Sequence, residues 1–252
     1  MASNPLRIAL VADIHANVWA LDAVLADVRK QRVDTVFNLG DILYGPLKPH
    51  ETFDRLQTLG DLLTIRGNQD RQIYDATEQD RRAIPTLDYV IKDLGEDPIQ
   101  WLQTLPPTAI FEEEIFLCHG TPASDETYLL EDVASGKALL RPEAEILRLV
   151  KGVRHPVIVC GHSHTPRLVS LANGQMIVNP GSVGLPAYSD DAPVPHSMET
   201  YSPHASYAIL TKTGAAWDVS FEKVAYDYGP ASQCAASIGR NDWARAIATG
   251  RV

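Results

Sequence analysis

Short apolar runs, each cut off by a polar turn, punctuate the N-terminal quarter of this chain. Residues 7–12 (RIALVA) end at Asp13, residues 35–39 (TVFNL) at Gly40-Asp41, and residues 62–65 (LLTI) at Arg66-Gly67-Asn68. Each run is too short for a helix and rich in strand formers. Between the first two, Asn17 is placed to cap a helix reaching about Lys30, with Trp19, Leu21, Val24, Leu25 and Val28 as its apolar stripe; a second helix is expected near residues 50–59. A β-α-β-α-β alternation implies parallel strands joined by right-handed crossovers. In open sheets of this kind ligands bind at the carboxyl ends of the strands. The polar residues at 13–15, 40–41 and 67–70 are therefore expected to converge on one crevice.

Residues 70–105 carry a helical pattern and are expected to form a small cap beside that crevice. Further on, residues 115–118, 157–160, 168–171, 176–178, 207–210 and 217–221 are short, apolar and strand-like, several of them bounded by Gly or Pro. A second, mixed or antiparallel sheet packed on the first would bury them. Residues 185–205 hold four prolines and no periodicity, which reads as a long surface loop. The tail from Tyr228 is small and polar until a short helix near residues 242–248. No repeat or low-complexity tract divides the chain, so its 252 residues are read as a single domain.

Charge and cysteine usage narrow the function. Lys and Arg number 22 against 32 Asp and Glu, a formal charge of −10. That disfavours long nucleic acid or an anionic membrane as the main partner, while leaving room for an anionic substrate at a local cation. No apolar run reaches the roughly 20 residues of a membrane helix, and the N-terminal MASNPLRIALVADI does not read as a signal peptide. Cys118, Cys160 and Cys234 are odd in number and far apart, which fits a reducing cytoplasm. Cys118 and Cys160 are expected to be buried apolar residues.

The chemistry concentrates at the expected strand ends: Asp13-x-His15, Gly40-Asp41, Gly67-Asn68-Gln69-Asp70, His119-Gly120 and Gly161-His162-Ser163-His164. Four of the eight histidines lie there. Imidazole, carboxylate and amide oxygen together suit first-row divalent ions. In D-x-H and H-x-H an extended backbone points both side chains the same way. Glycine before Asp41, Asn68 and His162 permits a sharp turn. Taken singly, Asp13 reads as a helix cap, His119 as a hydrogen-bonded core residue and Gly67-Asn68 as a turn; five such elements in order at strand ends read as a metal site. Seven ligands exceed one tetrahedral ion and suit two ions about 3.5–4 Å apart sharing a carboxylate.

The ordered set DxH…GD…GN…H…GHxH resembles the calcineurin-like metallophosphoesterases. Small bacterial and archaeal members carry similar GD-x-x-x-YGP and NPGSVG segments, here Gly40–Pro46 and Asn179–Gly184, and a strand like that at residues 205–210. The resemblance spans about residues 6–223. It implies a two-sheet α/β/β/α sandwich and a metal-dependent phosphoesterase, most simply a phosphodiesterase on a small nucleotide-type substrate, acting through a hydroxide activated by two ions. The ions would be drawn from manganese, iron, zinc, nickel and cobalt. Asp13, His15 and His164 would bind one, Asn68, His119 and His162 the other, and Asp41 both.

Many family members read GNH[DE], and that imidazole is thought to protonate the leaving group or steady the transition state. Here the position is Gln69, which donates hydrogen bonds but is no general acid near neutral pH. Arg66 is read either as a clamp on a phosphate oxygen or as a strand-end ion pair. His196 and His204, in the proline-rich segment, are candidate substrate contacts, with a solvated loop as the alternative. Asn179 and Ser182 either line the crevice or shape a turn beside it, and Asp70 is placed to orient a ligand. The competing functions are a phosphomonoesterase or protein Ser/Thr phosphatase, a nuclease, and a non-catalytic scaffold of the same fold. The absence of a GDxxDRG motif weighs against the phosphatase, the net charge against the nuclease, and the intact ligand set against the scaffold. The sequence sets no oligomeric state.

Overall fold

The computed structural model describes residues 5–60 and 62–252. Residues 1–4, part of the segment read above for targeting signals, lie outside the described residues. Strand β1 (Leu6–Val11), helix α1 (Val18–Gln31), β2 (Thr35–Asn38), α2 (Pro49–Gln57) and β3 (Leu63–Thr64) form the expected alternation. β1 pairs parallel with β2, and β2 with β3. Asn17 caps α1, its Oδ1 accepting from the Ala20 amide at 3.1 Å. Helices α3 (Asn68–Asp75), α4 (Glu78–Ala83), α5 (Pro85–Leu94) and α6 (Glu96–Thr104) make the cap.

After β4 (Thr108–Phe111) and β5 (Ile115–Cys118) come the short β6 (Glu131–Asp132), β7 (Leu139–Leu140) and helix α7 (Glu143–Leu149). β8 (Val157–Val159), β9 (Arg167–Ser170) and β10 (Met176–Asn179) complete a second sheet of order β4-β5-β8-β10-β9. Its centre, β5-β8-β10, is parallel, and both edges are antiparallel. β11 (Ala187–Asp190) and β12 (His196–Glu199) form a hairpin. β13 (Ala205–Thr213) and β14 (Ala216–Val224) follow, then α8 (Gly229–Ser237) and α9 (Asn241–Thr249).

Three expectations are corrected. β13 and β14 do not join the second sheet. They extend the first, in the order β14-β13-β1-β2-β3, with β13 antiparallel to β1. The segment 185–205 is not an unstructured loop: its prolines at 193 and 195 sit in the hairpin connection, and its flanks pair as strands. The tail carries two helices, with α8 opened by Pro230 in its first turn, where proline's missing N–H costs nothing.

Strand alternation explains the layering. Ile8 and Leu10 of β1, Phe37 of β2, Ile115 and Leu117 of β5, Val157 and Val159 of β8 and Leu210 of β13 fill the space between the sheets. Ala9 and Val11 turn the other way, onto Leu21, Val24, Leu25 and Val28 of α1, in a cluster that also takes in the cap and Ala231, Ala235, Trp243 and Ile247 of α8 and α9. Ile158 and Ile177 face outward onto Ile146 and Val150 around α7. The result is the α/β/β/α sandwich, with the central strands of each sheet buried on both faces as parallel strands require. Phe37 is fully buried at its centre, where truncation to Ala costs about 3–5 kcal/mol.

Candidate metal centre

Both sheets deliver their polar turns to one edge of the sandwich. Asp13 and His15 follow β1, Asp41 follows β2, Asn68 opens α3 after β3, His119 follows β5, and His162 and His164 follow β8. Two compact groups result, Asp13–His15–His164 and Asp41–His119–His162, the ligand atoms of each within 4.8 Å of one another. Asn68 Oδ1 lies 3.1 Å from His119 Nε2. Asp13 Oδ1 stands between the groups, 3.4 Å from His164 Nε2 and 4.0 Å from His119 Nε2.

The backbone reaches this arrangement by a different route from simple strand alternation. Asp13, His15, Asp41, His162 and His164 all have φ between 49° and 69°. Left-handed conformations cost non-glycine residues free energy and persist where the surroundings enforce them, characteristically at functional sites. The enforcement is visible here: Asp13 N donates to Gly40 O, His15 N to Asp41 O and Gly161 N to His119 O. Gly40, at φ 95°, passes so close to the third turn that a Cβ would lie 2.7 Å from the carbonyl carbon of Arg66. Asp70, fully buried, ties two turns together, accepting from Ile42 N and Gly67 N at 2.9 Å each. Burial and the Asp41 carboxylate push Asp70 up to about 7.

Every imidazole is oriented by a main-chain carbonyl. His15 Nδ1 bonds Tyr44 O, His119 Nδ1 bonds Leu39 O and His164 Nδ1 bonds Leu185 O, which leaves Nε2 of each facing the centre. His162 is reversed: its Nε2 bonds Glu126 O, so Nδ1 faces inward. Such partners fix tautomer and ring orientation in metal sites. Burial, reinforced by the neighbouring imidazole, pushes His15 and His162 down to about 4. Burial also opposes charge on His119, but the Asp41 and Asp13 carboxylates outweigh it and push it up to about 10.

The donor set fits divalent cations. His15 Nε2 and His164 Nε2 face each other at 3.0 Å, and Asp13 Oδ1 is buried without a hydrogen-bond partner. A buried unpaired carboxylate oxygen costs free energy that a cation would recover. The thiols of Cys118 and Cys160 are held protonated by burial and take no part. The profile for the calcineurin-like phosphoesterase superfamily domain matches residues 6–201. The chain belongs to the calcineurin-like phosphoesterase superfamily. Membership identifies it as a metal-dependent phosphoester hydrolase, and the family implies divalent metal ions.

Relatives of this superfamily member include proteins of low sequence identity. An uncharacterized protein of Methanocaldococcus jannaschii is 28% identical over 204 residues, covering 71% of this chain and 76% of its own length. The crystal structure of a metallophosphoesterase from Sphaerobacter thermophilus superposes with a TM-score of 0.76 at 24% identity, covering 98% of this chain and all of the other. A provisionally assigned diadenosine tetraphosphatase gives a TM-score of 0.55 at 17% identity over 87% of this chain and 94% of its own. These two structures share the fold.

Other residues singled out in the sequence fall into three groups. Gln69 lines the metal cavity, and its main-chain N–H donates to Asp41 Oδ1 at 2.9 Å. Arg66 does not line that cavity: its guanidinium is held by Asp125 at 3.1 Å, the ion-pair alternative. Asn179 and Ser182 shape the adjoining turns, donating to Gly161 O and Asp13 O respectively. His196, the first residue of β12, is buried with its Nε2 bonded to Tyr128 Oη at 2.9 Å, and His204 is exposed on the approach to β13; neither lines the metal cavity or the wider groove that meets it at Asn68, His162 and Asp190.

Several aromatic and charged side chains at the site were not anticipated. Tyr44, Tyr188, Arg240 and Trp243 all line the metal cavity. Tyr128 stacks on His162 with ring centroids 4.6 Å apart, and its hydroxyl also accepts from Tyr188. Only Tyr44 carried a local signal, its place in the GD-x-x-x-YGP segment. No helix among the described residues is long and apolar enough to cross a membrane.

Proposed function

We propose that this hydrolase is a phosphodiesterase acting on a small nucleotide-type substrate at a dinuclear centre, with Asp13, His15 and His164 holding one ion, Asn68, His119 and His162 the other, and Asp41 shared. One observation carries the preference for diesters. Two cavities meet at the centre, a compact one of about 170 Å³ and a groove of about 910 Å³, and both are bounded by Asn68, His162 and Asp190. A phosphate monoester has one substituent to house, a diester two. The groove adds an apolar surface of Tyr128, Val133 and Val194, suited to a base or sugar face, while the cap supplies Gln72 and Asp75 along its rim.

Bound ions would supply Lewis acidity toward phosphoryl oxygens and bring the pKa of a water toward neutrality. The protein's part is positional. The Gln69 amide and the Asp70-tied turns hold Asp41 in place. The Asn68 side chain offers an amide N–H beside its oxygen, and Gln69 offers a second neutral donor to a phosphoryl oxygen. An N,O donor set without thiolate accommodates manganese and its neighbours. Three unpaired cysteines support a reducing, cytoplasmic setting.

Metal analysis of protein loaded with manganese, followed by hydrolysis of matched phosphodiesters and monoesters, tests the reading. Two ions per chain and faster turnover of diesters are expected. At most one ion at saturation, or a clear preference for monoesters, would refute it.

A further inference from the structure

The family match ends at residue 201, yet the chain returns to the metal cavity some forty residues later through α9 and the residue that precedes it. Arg240 and Trp243 line the 170 Å³ cavity together with His15, Asp41, Gln69 and His164. Trp243 is 8% exposed, locked into the core beside Ala246 and Ile247, and meets the His15 ring edge-on at 5.6 Å. The Arg240 guanidinium lies over the Trp243 ring, 5.5 Å from its centroid.

That guanidinium is anchored. Its Nε donates to Asp242 Oδ1 at 2.9 Å and one terminal nitrogen to Asp242 Oδ2 at 2.5 Å, while the other terminal nitrogen bonds Thr86 Oγ1. Arginine has five N–H donors, so one remains on each terminal nitrogen. Two donors on a rigid planar fork, already fixed in orientation, match two oxygens of a phosphoryl group. The Asp242 side chain is 63% exposed, so water screens its charge more than that of Arg240, which is 32% exposed. Among the described residues lining this cavity, Arg240 is the one guanidinium or ammonium. Position 69, where many relatives place an imidazole, holds a neutral amide.

We propose that Arg240 is a substrate-binding residue that holds the phosphoryl oxygens of the substrate in the small cavity, with Trp243 as its positioning platform. The proposal rests on the metal cavity being the reaction site. It makes the start of the C-terminal helix α9 part of the active site.

The test uses the full-length, manganese-loaded protein and inorganic phosphate as probe. Binding is read both as the rise in melting temperature with phosphate and as its inhibition constant against a diester, alongside KM and kcat. Loss of charge-assisted hydrogen bonds weakens binding by about 10–100-fold. Arg240→Ala should therefore lose phosphate affinity and raise KM to about that extent, with a smaller fall in kcat and unchanged metal content. Arg240→Lys keeps the charge without the fork and should recover part of the loss. Phosphate affinity and KM within twofold of wild type in Arg240→Ala would overturn the proposal. So would joint loss of metal and phosphate binding in both variants, because the residue would then act only through the fold. Wild-type protein that holds two ions but binds no phosphate would overturn the reading of the site itself, and the proposal with it.

Discussion

Replacing Gly67 by alanine isolates the geometry of the metal centre from every other variable. Gly67 has φ −96° and ψ −177°, extended backbone that alanine adopts without strain, so the whole effect is steric. A Cβ there would overlap Asp41 Oδ1 and lie 2.6 Å from Asp41 N and 2.8 Å from Asp41 Cγ. Ordinary van der Waals contact begins near 3.4 Å, so the Asp41 main chain must retreat by about 0.8 Å and its carboxylate oxygen by more. It cannot move alone, because Asp70 binds both turns and Gln69 N holds Asp41 Oδ1. A misplacement of about 1 Å at a reacting centre costs on the order of 10²-fold in rate. Gly67→Ala is expected to lower kcat/KM by about that factor and to weaken metal retention in both clusters. Gly229→Ala, whose Cβ would meet only Asp227 Oδ1 at 3.1 Å, serves as the control. Metal content by elemental analysis and initial rates on an aryl phosphodiester provide the readout. A Gly67→Ala protein with two ions per chain and activity within twofold of wild type would refute the view that the Asp41 turn is held to sub-ångström tolerance.

Three further outcomes are expected. Tyr128→Phe strips the buried His196 Nε2 and the Tyr188 hydroxyl of a partner while keeping the ring against His162; it should lose about 1–3 kcal/mol of stability in denaturant titration and keep most of its activity. Gln69→His should raise rates for phosphodiesters with poor leaving groups more than for aryl ones, since general-acid help is worth about 10²–10⁴-fold; a plot of rate against leaving-group pKa that is identical in both proteins would contradict this. Burial alone would raise the Asp125 pKa, but the Arg71 and Arg66 guanidinium groups outweigh it and hold it below 3.8. A carboxylate lowered in the folded state stabilises above its unfolded pKa and loses that contribution as pH falls. The stability difference between wild type and Arg71→Gln should therefore be full at neutral pH and shrink below about pH 3.8, as followed by melting temperature.

The convergence of the candidate ligand positions was legible because they interrupt apolar runs. A carboxylate directly after RIALVA, or an imidazole one glycine after VIVC, stands out against a background whose period and polarity are known. The parallel core of the first sheet followed from the spacing of β1, α1, β2, α2 and β3. Pairing between distant strands did not, because Ala9 opposite Ile209 is a contact across the whole chain, and an apolar strand of either sheet looks alike in sequence. β4, which starts directly after Pro106-Pro107, and the hairpin around prolines 193 and 195 were hidden by residues that locally oppose strand. Arg240 and Trp243 could not be assigned to the site from sequence: α9 was expected, but its approach to His15 is set by packing of Ala246 and Ile247 in the core.

Asp13, His15, Asp41 and Asn68 hang from the first sheet, and His119, His162 and His164 from the second, so each of the two clusters draws on both. His15 and His164, 3.0 Å apart through their ring nitrogens, are separated by 149 residues of chain. An ion joining them closes a loop of that length, and on the chain-entropy relation used for disulfides such a closure is worth about 5 kcal/mol. All three cysteines in this chain are unpaired. Ions held at the proposed clusters would therefore also act as cross-links: coordination bonds would staple the two sheets together at the mouth of the sandwich.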